Sequence, residues 1–200
     1  MKKIFIILIS LIVLIAISGP VFNLIKNAIP EKVYKKPVVT IIVEDYGTIT
    51  VELDPNIAKN TVDNFLMYVK DNAYTGSTFH RVIEDFMIQG GIVDVSKCAI
   101  KGEFIANGVE NSLLHERGVI SMARTGVKDS ATSQFFIMHK TNSSLDGNYA
   151  AFGKVLTGMD IVDQIATVET ADDVPKDDVV ISSITVDLNG YKTATPKCAN

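Results

Sequence analysis

Most of the chain alternates between apolar and polar positions in short runs, and helical spacing appears at two places. Val38 to Glu44 (VVTIIVE) and Thr48 to Leu53 (TITVEL) are rich in β-branched residues and separated by Asp45-Tyr46-Gly47. That pattern predicts a hairpin. After Asp54-Pro55-Asn56, the residues Ala58, Val62, Phe65, Leu66 and Val69 recur at helical spacing, so the segment reads as a helix with one apolar face turned to a core. From Thr78 onward short strand-like runs follow: TFHRVI, FMIQGG, GVISMAR, QFFIM and AAFGKVL, with turns rich in Gly, Asn, Asp and Ser. A second, short helix is predicted over Met159 to Ala166, after Gly158, and a last strand over Val179 to Val186. Many short strands with two helices indicate a closed β-barrel or a sandwich, since closure removes exposed strand edges. The acidic stretch Asp172, Asp173, Asp177 and Asp178 around Pro175 reads as a solvated loop without the spacing of a calcium site.

The start of the chain has a different grammar. After Met1-Lys2-Lys3 the sequence is uncharged from Ile4 to Ile25, and basic-then-apolar is the form of an export signal. Ala16-Ile17-Ser18 offers a small-x-small cleavage site before Gly19. The run is also long enough to span a bilayer, which needs about 20 residues, and an uncleaved anchor is favoured over a cleaved signal. Lys26, Lys32, Lys35 and Lys36 beyond the run weaken a positive-inside argument for an external domain. Export to the extracytoplasmic side, anchored or secreted, remains the expectation. The expected organisation is a signal or anchor over 1–28, a linker over 29–37, a domain over 38–188 and a tail over 189–200.

Composition narrows the function classes. A net charge of -4 across 200 residues, with no basic stripe, excludes the usual nucleic-acid footprint. Three histidines without ligand spacing, and two cysteines outside any C-x-x-C, support no zinc site. Cys98 and Cys198 would have the chemistry to pair in an oxidising compartment, but two unrelated free cysteines are expected. GNYAAFGKV misses the phosphate-loop spacing by one residue and has Val155 where Ser or Thr is required. No G-x-S-x-G occurs, so the hydrolase elbow is absent.

What survives is TFHRVIEDFMIQGG, where Arg81 and Gln89 stand among apolar residues. With period two, Phe79, Arg81 and Ile83 share one face, as do Met87 and Gln89 on the next run. The residues alone leave two readings: an arginine satisfied by an ion pair in a sheet wall, or a groove whose polar groups grip a peptide backbone.

FHRVIEDFMIQGG, together with GVISMARTGVKDSATSQFFIMHKTNSSLDGNYAAFGKV, PNIAKNTVDNF and KGEFIANG, resembles the cyclophilin family of peptidyl-prolyl cis-trans isomerases, its bacterial members in particular. The resemblance covers roughly Val38 to Leu188. It implies a mostly β fold with two helices, a closed eight-stranded antiparallel barrel, and rotation of X-Pro bonds in proline-containing unfolded or newly exported proteins. It also implies a monomer with no metal and no cofactor. Carried over position by position, the catalytic arginine is Arg81, and the proline pocket falls on Phe86, Met87, Phe136 and Leu145. Gln89 and Gln134 flank that pocket, Ala123, Arg124 and Thr125 form the edge receiving the substrate backbone, and Tyr149 stands where many eukaryotic members have His.

Three departures from the family pattern matter. Glu84-Asp85 replaces the usual Pro-Gly between the two runs, and IVDVSKCAI is shorter than the usual Gly-rich loop. Ser144 stands where cyclosporin-sensitive members carry Trp, which implies weak cyclosporin binding.

Overall fold

β-branched residues on alternating positions build the first element pair. The computed structural model describes residues 33–95 and 97–199; the apolar start and the expected anchor lie outside them. β1 (Val38–Val43) and β2 (Gly47–Leu53) form the predicted hairpin, with Val39, Ile41, Ile49, Val51 and Leu53 fully buried on its inner face. Asp45 (φ 63°) turns the chain and the Tyr46 N–H closes back on the Val43 carbonyl.

α1 (Lys59–Lys70) follows a turn over 54–58, and the predicted stripe of Ala58, Val62, Phe65, Leu66 and Val69 is buried. Its first turn has no side-chain cap of its own. Instead the Glu103 carboxylate accepts from the N–H groups of Asn60 (3.2 Å) and Thr61 (2.7 Å), placing an anion where the helix dipole favours one. The buried surface is wider than the stripe, because Asp63 and Asn64 are covered too: Tyr191 donates to Asp63 and Asn64 donates to the Thr132 carbonyl.

The remaining strands are β3 (Arg81–Ile83), β4 (Met87–Gly90), β5 (Val119–Met122), β6 (Phe135–Met138), β7 (Ala151–Thr157) and β10 (Ile181–Asp187). Two short strands, β8 (Thr170–Ala171) and β9 (Val174–Pro175), pair only with each other. α2 (Met159–Ala166) has the predicted bounds. Gly158 enters it at φ 89°, and a Cβ there would stand 2.4 Å from the Thr48 carbonyl oxygen, so only glycine fits.

The main sheet is antiparallel in the order β10-β1-β2-β7-β5-β6-β4-β3. The fold is mostly β with two α-helices, as expected, but the expected closed barrel is corrected. β3 and β10 at the two ends share no ladder, and the sheet is curled and open. An isolated bridge, Thr78 to Val180, joins the segments that precede these strands, with the Phe79 N–H donating to the Val179 carbonyl at 2.9 Å. Strand β3 is too short to extend that bridge into a ladder.

Two apolar clusters result. The larger fills the concave side around Phe65, Tyr74, Phe79, Phe135 and Phe152. The smaller, of Met87, Val119, Phe136, Met138 and Ala151, lies on the other face of β4, β5 and β6. Those strands are therefore buried on both faces, which explains their continuous apolar runs.

Cys98 and Cys198 are bonded to one another, which corrects the expectation of two free thiols. No spacing rule shows such a pair, because the tail folds back along α1 to bring Cys198 beside Ile100. Among the described residues, no helix is long and apolar enough to cross a membrane.

Candidate active site

The outer face of β3, β4 and β6 carries the site. β3 and β4 pair with Arg81 opposite Gln89 and Ile83 opposite Met87, so the two runs present their polar and apolar residues in register. β6 then sets Phe136 opposite Gln89 and Met138 opposite Met87. Phe79 departs from the expected face. The strand begins only at Arg81, and Phe79 packs instead against Phe135 in the larger core, centroids 6.1 Å apart.

A cavity of about 130 Å³ opens here, lined by Arg81, Phe86, Met87, Gln89, Ala123, Arg124, Phe136, Leu145 and Tyr149. Every one of these is a residue singled out in the sequence. The other two, Thr125 and Gln134, line an adjoining cavity with Gln89, Ala123 and Arg124. The Gln89 amide donates to the Gln134 side-chain oxygen at 2.9 Å, which ties the two cavities' shared wall together.

The floor is apolar and well packed. Met87 and Phe136 are almost wholly buried, and Phe136 meets Tyr149 edge-on at 5.9 Å. Phe86 sits in the turn after β3, its carbonyl accepting from the N–H groups of His139 (2.9 Å) and Lys140 (3.2 Å). The Glu84-Asp85 turn is held by the Asp85 N–H on His139 Nδ1 at 2.9 Å, with Asp85 at φ 58°. An Asp accepts that conformation more readily than most residues. On the opposite wall the Arg124 guanidinium lies 4.5 Å from the Tyr149 ring centroid and donates to the carbonyls of Asn148 and Thr125. Arg81 reaches over the rim, with one guanidinium nitrogen 3.3 Å from the Asp173 carboxylate.

Sequence reasoning missed the group beneath this floor. His115 is buried and stacks on Phe136 at 6.0 Å, with Tyr149 edge-on at 6.5 Å. Asp146 accepts from both the His115 backbone N–H (2.7 Å) and Nδ1 (3.0 Å), while Nε2 lies 3.1 Å from the Ser121 hydroxyl. A carboxylate only accepts, so Nδ1 carries the proton and a neutral ring accepts from Ser121 at Nε2. Nothing in the spacing announces this: one histidine between Leu114 and Glu116 has no motif, and its burial is made by distant loops.

Burial holds the His115 imidazole below the ordinary histidine value of 6.5, with Asp146 pulling the other way. His80 is lowered as well, first by burial. Between the lowered pKa and about 6.5 the unfolded chain binds protons that the folded chain does not, so stability is full above that window and falls as pH drops through it. The urea midpoint of the wild type is expected to fall across that window. His115→Gln should remove one group's share of the slope, at most about 1.4 kcal/mol per pH unit. An unchanged slope in that variant would mean His115 is not a source of the acid sensitivity.

Comparison with known proteins places the fold in a family. Residues 38–186 match the family of cyclophilin type peptidyl-prolyl cis-trans isomerase/CLD. The chain belongs to the cyclophilins. A peptidyl-prolyl cis-trans isomerase of Acinetobacter baylyi is 46% identical over 151 residues, covering 70% of this chain and 80% of that one. Peptidyl-prolyl cis-trans isomerase B of Escherichia coli is 41% identical over 156 residues, covering 71% and 95%. A crystal structure of a Cryptosporidium parvum cyclophilin superposes with a TM-score of 0.70 at 25% identity, covering 76% of this chain and 98% of that one. The same protein in the presence of the dipeptide Ala-Pro superposes with a TM-score of 0.66.

Proposed function

We propose that the groove binds proline-containing segments of exported proteins and turns their X-Pro bonds, with Arg81 as the catalytic group. The chain is a peptidyl-prolyl cis-trans isomerase. The observation that carries the residue assignment is the arginine at the rim of one apolar cavity floored by Phe86, Met87, Phe136 and Leu145.

Rotation about an X-Pro bond must break amide resonance against a barrier of about 18–20 kcal/mol. No bond to another atom is made or broken, so no nucleophile or base is called for. In the twisted state the prolyl nitrogen becomes pyramidal and accepts a hydrogen bond it cannot accept when planar. A guanidinium, always charged and carrying several N–H groups, supplies that donor. The apolar floor holds the ring, Gln89 and Gln134 offer amides to the flanking backbone, and the edge at Ala123 to Thr125 lies alongside. The twisted state is bound better than either planar isomer, which is how a binding site lowers a rotational barrier. The dipeptide Ala-Pro used with the Cryptosporidium parvum relative has the chemistry this cavity suits.

Export is supported by the basic-then-apolar start and by the Cys98–Cys198 bond, since disulfides persist in oxidising compartments. Fractionation of the host, followed by N-terminal sequencing of the mature protein, tests it. The expected result is protein on the extracytoplasmic side; protein confined to the cytoplasm would sink the assignment.

The catalytic assignment is tested by isomerisation of a short Xaa-Pro peptide. The wild type is expected to accelerate the exchange well above the uncatalysed rate, and no acceleration would overturn the reading. Leu145→Ala, which removes apolar contact from the half-buried pocket wall, should raise KM by up to about tenfold with kcat little changed.

A further inference from the structure

The acidic stretch after α2 is solvent-exposed at Asp172, Asp177 and Asp178, as its composition suggests, but its first part is a hairpin and not an irregular loop. β8 and β9 pair through Thr170–Pro175 and Ala171–Val174, leaving Asp172 and Asp173 as a two-residue turn. Both turn residues have positive φ (51° and 67°), the left-handed geometry of a tight hairpin, where Asp is tolerated. The turn is not free at its tip. The Val82 N–H, next to Arg81 in β3, donates to the Asp173 carbonyl at 2.8 Å. The Asp173 carboxylate then meets Arg81 Nη2 at 3.3 Å. At the base, the Lys176 N–H donates to the Glu169 carbonyl at 2.9 Å, and the two side chains form an ion pair.

We infer that Asp173 is a positioning residue for catalysis: the hairpin docks on β3 so that its carboxylate holds the Arg81 guanidinium at the mouth of the proline pocket. The inference rests on the reading of Arg81 as the transition-state donor. The main-chain bond fixes where the carboxylate stands, so the pair is not a chance meeting of two long side chains. Both side chains are nearly half exposed, 42% and 45%, so the pair adds little to the fold itself. Its consequence lies in geometry. A guanidinium has five N–H groups, and Asp173 engages one Nη2, leaving other donors for the prolyl nitrogen. Without that tether, no other hydrogen bond or ion pair among the described residues holds the long, flexible arginine side chain at the mouth of the pocket.

The test uses Asp173→Asn and Asp173→Gly in the full chain. Both residues accept the left-handed turn, and both keep the carbonyl that receives the Val82 N–H. Thermal unfolding of both variants should match the wild type. On an Xaa-Pro peptide at low salt, kcat is expected to fall about three- to fivefold in D173G, the equivalent of a surface pair's coupling, with KM within about twofold. D173N should lie between. In the wild type, raising the salt should bring kcat toward the D173G value, since screening shortens the reach of the pair from about 30 Å at 0.01 M to about 3 Å at 1 M. D173G itself should be insensitive to salt. Removing Asp173 in an Arg81→Ala background should change nothing further.

Wild-type kcat in D173G, alongside a crippled Arg81→Ala, would overturn this inference and leave the site reading intact. A rise in kcat would overturn it in the other direction, making Asp173 a competitor that sequesters the arginine. An Arg81→Ala variant as fast as the wild type would instead bring down the catalytic reading on which the inference stands.

Discussion

Replacing Arg81 with alanine is expected to lower kcat/KM on an Xaa-Pro peptide by about 10²–10³, the usual cost of losing one transition-state donor. The fall should sit in kcat, with KM changed little, because the planar isomers do not use the hydrogen bond that the pyramidal nitrogen accepts. The change should not act through unfolding: Arg81 lies at the start of β3 with its side chain 42% exposed, and its ion pair with Asp173 is of the weak surface kind. Arg81→Lys should recover only part of the loss. An ammonium keeps the charge but presents it as a point on a flexible stem, without the planar fork. The comparison with Leu145→Ala separates the two halves of the site, since the pocket wall acts on KM and the rim on kcat. A wild type no faster than Arg81→Ala would reduce the groove to a proline-peptide binder.

Local chemistry explains which parts of this molecule were legible in its sequence. α2 is found at its predicted bounds because Gly158 and a single apolar stripe define it without help from neighbours. The β1–β2 hairpin is likewise local, fixed by β-branched alternation and one turn. The outer face of β4 and β6 was readable for a different reason: strands buried on both sides leave a polar residue such as Gln89 conspicuous. The nine residues that line the cavity are those the resemblance names, and the register of β3, β4 and β6 brings Arg81, Met87, Gln89 and Phe136 among them together. Long-range placement was invisible. Phe79 breaks the alternation because the bridge between Thr78 and Val180, remote in sequence, pulls it into the core. The short β3 does not extend that bridge into a ladder with β10, so the barrel expected to be closed is open. His115 and Asp173 act through partners at separations of 31 and 92 residues, and no periodicity reports contacts of that kind.

Breaking the Cys98–Cys198 bond is expected to cost about 3–4 kcal/mol of unfolding free energy. The two cysteines are 100 residues apart, and closing a loop of about that length in the unfolded chain is worth at most about 4.7 kcal/mol. The measured value should fall below that ceiling, since a real unfolded chain is already partly compact. The folded side of the balance changes less. The tail is held independently along α1: Tyr191 donates to Asp63 at 2.8 Å, the Ala194 N–H donates to the same oxygen at 3.1 Å, and Asn60 exchanges two hydrogen bonds with the Lys197 backbone. The Ala199 N–H reaches the Ala99 carbonyl at 2.7 Å, so the ends stay adjacent without the sulfur bridge. Cys198→Ser should therefore fold to the same structure, with an unfolding free energy in urea lower by the stated amount and a correspondingly lower midpoint. A thiol reductant should bring the wild type down to the same midpoint while leaving the variant unmoved. Neither cysteine lines the proline cavity, so kcat/KM well below the unfolding transition should stay within about twofold of wild type, because a constraint on the unfolded chain leaves a folded site unchanged. A reductant effect of equal size on both proteins would show that the stability does not reside in this bond. A collapse of activity without unfolding would show instead that the loop over 92–100, which the bond ties to the tail, shapes the groove through the Ile100–Ala131 bridge.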